Sequence, residues 1–272
     1  MSLTAAIQIS WAFLKRDLAI ELTYRAWFLM QVGQVLFAVI FFAIISRLVG
    51  EHSSPYLQAY GGAYLPFAIV GIAFAGFMNN GLTCFGDTLR EAQLTGTLEA
   101  TLMTPVSLPL LVLSSGLWLH VQTALRGLGY LVVGVLLGMN LMGTNLPGAI
   151  LTFVLGILAF DALGIIGAAV VMVTKRGLPL MALFSAGVSL FSGVFFPVKL
   201  LPPQVQWLAA LLPSTYALEG LRLALLSGAG MQALLPHLAP LALFDLVMVP
   251  LSLFIFLLAT KRAMVNGSLV HY

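Results

Sequence analysis

The sequence predicts an all-α polytopic membrane protein, and composition, hydropathy and long uncharged stretches all indicate that class. Of its 272 residues, 61% are hydrophobic and only 8% are charged, whereas a soluble domain has about 25% charged residues. Its mean hydropathy is +1.06. The expected architecture has six transmembrane helices, an N-terminal amphipathic interface helix, a cytoplasmic coupling helix, and a re-entrant hairpin between spans five and six.

Net charge and cysteine content narrow the functional classes. The net charge of +3 and the pI near 9.2 do not indicate nucleic-acid binding, because Lys and Arg collect in the cytoplasmic loops of membrane proteins. Cys84 is the single cysteine, which excludes an internal disulfide and a cysteine-based metal cluster.

Residues 1–25 are predicted to form a helix that lies on the membrane surface. Trp11 suits the interface, and Lys15 and Arg16 suit the aqueous side. The alternative is a cytoplasmic extension of the first span. Apolar residues recur at helical spacing: Leu3, Ile7, Trp11, Leu14, Leu18 and Leu22.

The first span is the clearest of the six. The stretch between Arg25 and Arg47 has no charge, and as a helix it reaches about 31 Å, the thickness of the hydrocarbon core. Residues 197–237 are broken by Pro and Gly, which suits short helices that enter and leave one leaflet. The six spans are expected at 26–48, 63–83, 117–139, 148–173, 178–196 and 241–260, with a polar region at 87–104.

The basic residues predict that both termini are cytoplasmic, because eight lie on the N-terminal side of the membrane and three on the other. Arg126 is assigned to neither side. The eight are Lys15, Arg16, Arg25, Arg90, Lys175, Arg176, Lys261 and Arg262, and the three are Arg47, Lys199 and Arg222.

Several motifs of catalysis are missing from the sequence. None of the four lysines follows a glycine, so the phosphate-binding G-x-x-x-x-G-K-[ST] motif is absent. No H-E-x-x-H pair and no G-x-S-x-G nucleophile motif occurs. We therefore expect neither an ATPase nor a cofactor in this chain, and an intramembrane enzyme or a scaffold is a minor alternative.

Residues 87–104 contain a short amphipathic pattern, because Leu94, Leu98 and Leu102 lie four apart on one helical face. Residues 95–97 are a weak point where that helix is expected to break. Such a helix can dock into a groove of a partner protein. A solvated connector is the equally weighted alternative.

Residues 192–222 follow the fifth span, and prolines divide them into short helical pieces. Glu219 and Arg222 stand three apart, so they share a face and are predicted to pair. A structural role is favoured over substrate contact.

Three ionisable residues fall within the predicted spans: Arg126, Asp161 and Asp245. Such residues are functional candidates, since a buried carboxylate must be paired, hydrated or protonated. An Asp–Arg pair between spans is the leading expectation. Proton coupling through Asp161 is the alternative.

Two segments together resemble the permeases of ABC-2 type transporters. The first is R-E-A-Q-L-T-G-T-L-E-A-T-L-M-T-P at 90–105, and the second comprises S-G-V-F-F-P at 192–197 and P-S-T-Y-A-L-E-G-L-R at 213–222. The likeness covers essentially the whole chain, as one transmembrane domain over 1–272. It implies a partner ATPase subunit that binds ATP and Mg, and a second permease subunit.

The resemblance also assigns residues to roles. Contact with the ATPase is expected at Arg90, Glu91, Gln93, Gly96, Thr97, Leu98 and Glu99, with the surface helix before Arg25 as a second contact. An extracellular gate is expected at Gly193, Pro197, Pro202, Pro213, Tyr216, Glu219 and Arg222.

Spans two and five are expected to line the cargo path with phenylalanine and asparagine side chains. Packing or lipid contact is the commoner role of a phenylalanine in a membrane span. The candidates are Phe67, Phe74, Phe77, Asn79, Asn80, Phe184, Phe191 and Phe195. An apolar, aromatic-lined path suits an amphipathic or hydrophobic cargo such as a drug, lipid or glycolipid. The sequence thus predicts the permease of an ATP-driven exporter in a prokaryotic-type inner membrane, with a proton-coupled carrier using Asp161 as the alternative.

Overall fold

The computed structural model describes residues 3–23, 25–49, 55–96, 108–174 and 178–265, and all regular structure within these ranges is helical. Two short 3₁₀ helices cover Pro55–Tyr60 and Val198–Leu200. The α-helices are α1 (Leu3–Thr23), α2 (Arg25–Val49), α3 (Tyr64–Leu94), α4 (Leu108–Leu136), α5 (Leu146–Thr174), α6 (Leu178–Phe191), α7 (Pro203–Leu211), α8 (Pro213–Leu226) and α9 (Met231–Val265).

Five helices of the described chain are long and apolar enough to cross a bilayer, namely α2, α3, α4, α5 and α9. The predicted fifth span, 178–196, corresponds to α6, which has only 14 residues and reaches about 21 Å. This helix ends at Phe191 because Gly193 adopts a φ of +77°, a left-handed conformation that stops an α-helix.

The connections gather into two groups. At the hairpin end (residues 55–62, 137–146 and 192–230), the Ser227 hydroxyl donates to the Ala59 carbonyl at 2.5 Å and the Asn145 amide donates to the Ala229 carbonyl at 2.7 Å. At the terminal end (α1 and residues 84–96, 108–114 and 256–265), Ser10 and Ser114 hydroxyls lie 3.0 Å apart. The spanning helices therefore run alternately between these two ends.

Helices α3 and α5 form the centre of the bundle. In its most apolar window α3 is 56% buried, whereas α2 and α4 are each 17% buried. A Cβ on Gly164 of α5 would overlap the carbonyl oxygen of Gly81 on α3. Small residues at this crossing let the two backbones touch, as is common between membrane helices.

Two helices continue past the bounds of the predicted spans. Helix α3 runs to Leu94, beyond the predicted end of the second span at 83, because no proline interrupts its polar last turns. The last span was expected to begin at 241, with a re-entrant segment reaching 237, but α9 begins at Met231 and contains Pro236, Pro240 and Pro250. Membrane helices tolerate internal prolines because neighbouring groups satisfy the freed carbonyls.

Helix α1 is attached to its neighbours through Glu21. This carboxylate accepts hydrogen bonds from the Trp118 indole N–H at 2.5 Å, from the Gln31 amide at 3.3 Å and from the Gln122 amide. The donors come from α2 and α4, so one carboxylate joins three helices. Sequence reasoning missed Glu21 because its partners are distant in the chain.

We expect Glu21→Ala to lower the free energy of unfolding by about 1.5–3 kcal/mol, because hydrogen bonds to a charged acceptor are lost. Glu21→Gln keeps one acceptor oxygen and should lose less. Thermal unfolding of the purified chain in detergent measures both.

Asp17→Ala is the matched control. It removes a carboxylate of the same helix that pairs with the neighbouring Arg16, whose side chain is 57% exposed, and such pairs contribute little. Equal losses in the Glu21→Ala and Asp17→Ala variants would contradict the anchoring role of Glu21.

Candidate functional site

Arg222 is the centre of a buried polar cluster at the hairpin end. Only 3% of this α8 residue is exposed. Its guanidinium donates to three backbone carbonyls: Phe67 at 3.2 Å, Gly193 at 2.8 Å and Val194 at 2.8 Å. It also lies over the Phe67 ring, 3.4 Å from the centroid. One side chain therefore ties α8 to α3 and to the bend after α6.

The local sequence explains how this bend forms. Gly193 supplies the left-handed conformation, which costs a glycine little. Pro213 occupies the first turn of α8, where its missing N–H has no helical partner to lose. Gly71 of α3 leaves room for the bend, because a Cβ there would overlap the Val194 carbonyl oxygen and lie 2.7 Å from Nη2 of Arg222.

Glu219 does not form the predicted ion pair with Arg222. It accepts a hydrogen bond from the Tyr60 hydroxyl at 2.5 Å, while Arg222 turns towards the backbone carbonyls of the bend. Burial, followed by the hydrogen bond to Glu219, raises the pKa of Tyr60 well above its usual range. Tyr60 therefore keeps its proton and remains a donor at neutral pH.

The other predicted gate residues lie in the same hairpin. Pro197 and Pro213 are buried, whereas Pro202 is exposed. The Tyr216 hydroxyl donates to the Ala210 carbonyl at 2.9 Å, joining α8 to α7. Tyr64, which the sequence did not single out, donates to the Phe195 carbonyl at 3.1 Å. The structure thus brings most of the predicted set together around the bend.

The predicted coupling residues begin at the terminal end of α3. Arg90 and Gln93 are half-buried on its last turns, and Glu91 is exposed. The helix ends at Leu94, with Thr95 as its C-cap and Gly96 at a φ of +70°, so the predicted break is confirmed. Thr97, Leu98 and Glu99 lie outside the described residues.

The candidate path residues divide into two groups. Phe67, Phe74 and Phe77 have 0%, 2% and 4% exposure, so their side chains pack inside the core of this chain. Phe184 and Phe195 are exposed, and Phe191 is half-buried.

Two asparagines of α3 also belong to the candidate path. Asn79 is exposed and accepts a hydrogen bond from the Ser185 hydroxyl of α6 at 2.6 Å. Asn80 is half-buried, and its amide nitrogen is buried without a hydrogen-bond partner.

The prediction of an Asp–Arg pair between membrane spans is also wrong. Asp161 contacts His120, with 3.0 Å between Oδ1 and Nε2, because α4 and α5 bring these two side chains to the same level. Nε of Arg126 is buried without a hydrogen-bond partner. Asp245 is 7% exposed, and neither of its carboxyl oxygens has a partner.

Comparison with known proteins identifies the family. The family model described as ABC-2 type transporter matches residues 10–226, which include the Arg222 cluster and the whole of α3. The chain belongs to the ABC-2 type transporter family. It is therefore a multi-pass membrane protein of the permease type.

The ABC-2 permease is also similar to one curated protein of a different description. Polyamine aminopropyltransferase 2 of Aquifex aeolicus (strain VF5) is 29% identical over 215 residues, which are 72% of this chain and 43% of that protein. The permease chain thus spans less than half the length of this relative.

We expect Gly71→Ala to destabilise the permease by about 1–3 kcal/mol, because the added methyl group overlaps the backbone of the bend. Gly187→Ala on α6 is the matched control, since a Cβ there meets nothing within 4 Å. Thermal unfolding in detergent distinguishes the two, and equal stability of both variants would contradict the close packing at Gly71.

Proposed function

We propose that this chain is the permease subunit of an ABC exporter that moves an amphipathic or hydrophobic cargo outwards while a separate subunit hydrolyses ATP. The observation that carries the proposal is the continuity of α3. A single helix of 31 residues, about 46 Å long, joins the Arg222 cluster at one end to Arg90 and Glu91 at the other.

The length of α3 supports an ATPase contact at the terminal end. A helix of about 20 residues crosses the hydrocarbon core, so the last turns of α3 extend beyond it and expose Glu91. A polar helix end of this kind can dock into a groove of a partner protein. Thr97, Leu98 and Glu99 would continue this surface.

The packing of α3 supports transmission of motion through the bilayer. Phe67 and Gly71, in its first two turns, contact Arg222, and its centre crosses α5 at Gly81. Helices shift as rigid bodies when packed interfaces change between discrete arrangements. A displacement of the Arg90 end would therefore reach the bend at Gly193, which is the proposed outer gate.

The distribution of basic residues supports a cytoplasmic terminal end. Lys15, Arg16, Arg90, Lys261 and Arg262 belong to that end, and Arg47, Lys199 and Arg222 belong to the hairpin end. Lys175 and Arg176, outside the described residues, follow α5 where it reaches the terminal end. Both termini would then face the cytoplasm of a prokaryotic-type inner membrane, and the hairpin would face outwards.

Asn79 supports a cargo path or a second permease subunit at one face of α3 and α6. This side chain is exposed about 22 Å along the helix from Tyr64, and an amide left against lipid costs several kcal/mol. Phe184, which precedes Ser185 on α6, is also exposed. An exposed amide and an exposed aromatic ring on neighbouring helices suit a cargo such as a drug, lipid or glycolipid.

A proton-coupled carrier is the second candidate, and the contact between Asp161 and His120 favours it. It predicts transport driven by a proton gradient without ATP. The exporter predicts that transport stops when the partner ATPase is inactivated.

We expect the double substitution Glu91→Ala with Glu99→Ala to reduce stimulated ATP hydrolysis roughly tenfold, as the loss of about 1.4 kcal/mol at the ATPase contact would. The assay first co-purifies the permease with a subunit carrying a phosphate-binding motif. It then compares the ATPase rate of that subunit, alone and in the complex, in lipid nanodiscs.

Lys199→Ala is the control, because Lys199 is an exposed charge at the opposite end. It should leave co-purification and ATP hydrolysis unchanged. Wild-type rates and yields in the double variant would refute the assignment of α3 as the ATPase contact.

A further inference from the structure

His120 of α4 and Asp161 of α5 meet inside the membrane-spanning part of the bundle. Nε2 of His120 lies 3.0 Å from Oδ1 of Asp161, and Nδ1 lies 2.9 Å from the carbonyl oxygen of Gly116. The two side chains are 19% and 21% exposed. Both ring nitrogens are therefore engaged, one by a carboxyl group and the other by the backbone.

The Gly116 carbonyl fixes which ring nitrogen of His120 carries a hydrogen. A carbonyl oxygen can only accept a hydrogen bond, so Nδ1 must be the donor. Nε2 then either accepts from a protonated Asp161 or, as part of an imidazolium, donates to the carboxylate. In both cases the pair holds one proton more than a neutral imidazole beside a carboxylate.

We infer that His120 and Asp161 form a proton-binding site, in which one proton shared between Nε2 and Oδ1 clamps α4 to α5. Its ligand is the proton itself. With this proton the pair has no net charge, the least costly state for ionisable groups in a bilayer. The inference goes beyond the proposed function, because it requires neither ATP nor a partner subunit.

Release of this proton breaks one of the two contacts. If Nδ1 keeps its hydrogen, the Nε2 lone pair faces a carboxylate oxygen and the two repel. If the hydrogen moves to Nε2, the hydrogen bond to Gly116 is lost. The deprotonated pair also carries a negative charge, which is costly to bury. Proton release therefore weakens the side-chain contact that links α4 to α5.

The site lies where three helices converge. A Cβ on Gly81 of α3 would lie 3.0 Å from Oδ1 of Asp161, and a Cβ on Gly116 would lie 3.0 Å from the Phe85 ring. These glycines place α3 against both members of the pair. Because α3 also joins the two ends of the bundle, the protonation of the pair would affect the helix proposed to transmit motion.

The surrounding titratable groups are few within the described chain. Cys84 and Asp87 are the nearest on α3, and Cys84 interacts electrostatically with Asp161. Arg126 lies further along α4, and Asp245 is the buried acid of α9, which packs against α5. None of these groups replaces His120 as the hydrogen-bond partner of Asp161.

Asp161→Asn separates a proton site from a simple structural contact. The asparagine amide can donate to Nε2 of a neutral His120 and can turn its oxygen to accept from an imidazolium, so this variant keeps the contact without a shared proton. Wild type holds the same contact only while the proton is bound, and its stability should fall as pH rises through the titration of the pair. Asp161→Ala and His120→Ala lack the contact at every pH.

The experiment compares thermal unfolding of the full chain in lipid nanodiscs from about pH 5 to about pH 9, the range in which histidine pairs commonly titrate. Relative to Asp161→Asn, we expect the Tm of wild type to fall by about 2–4 °C across this range, as the loss of about 1 kcal/mol would produce. Parallel profiles for wild type and Asp161→Asn would overturn the inference.

A spectroscopic measurement keeps the test decisive if the alanine variants do not fold. In ¹⁵N-histidine spectra, the His120 signals are identified by their absence in His120→Gln. We expect Nε2 to change protonation environment at the same pH in wild type and in Asp245→Asn, the matched buried-acid control, and at a distinctly lower pH in Asp161→Asn, which lacks the carboxylate that stabilises an imidazolium. A pH-independent Nε2 signal in wild type would overturn the proton site.

Discussion

The architecture depends on one constraint: inside a bilayer, every backbone polar group needs a partner within the protein. Long helices meet this requirement by themselves, but the bend after α6 does not. Arg222 supplies the missing donors to Gly193 and Val194 and also reaches Phe67. Because a buried guanidinium replaces water at this bend, the chain can turn at the hairpin end without leaving carbonyls unsatisfied.

Helix α3 connects the bend that Arg222 holds to the rest of the molecule. It is the most buried of the five candidate spans, its Phe67 carbonyl accepts a hydrogen bond from Arg222, and its 31 residues exceed the length needed to cross the hydrocarbon core. Glycines on both α3 and α5 let their backbones touch where the two helices cross. The proposed gate, the proposed ATPase contact and the His120–Asp161 pair therefore share a single structural element.

The two wrong predictions of ion pairs, Glu219 with Arg222 and an Asp with an Arg between spans, have the same physical origin. Glu219 and Arg222 lie on one helix face, and helical spacing alone predicts that they pair. In the folded chain Arg222 instead donates to three backbone carbonyls, and Glu219 accepts a hydrogen bond from the Tyr60 hydroxyl. Asp161 likewise takes His120 as its partner, because the partner of a buried charge depends on which helices meet at its level.

The sequence alone determined the class of protein, most of the helices, the break at Gly96 and the family, because these depend on hydropathy, local conformational preference and short motifs. Tertiary structure decided where α3 and α9 continue and why α6 is short. It also decided which phenylalanines are core, and that Glu21 and Arg222 join distant segments. Such contacts are made between residues up to 168 positions apart, and their geometry exists only once the helices have packed.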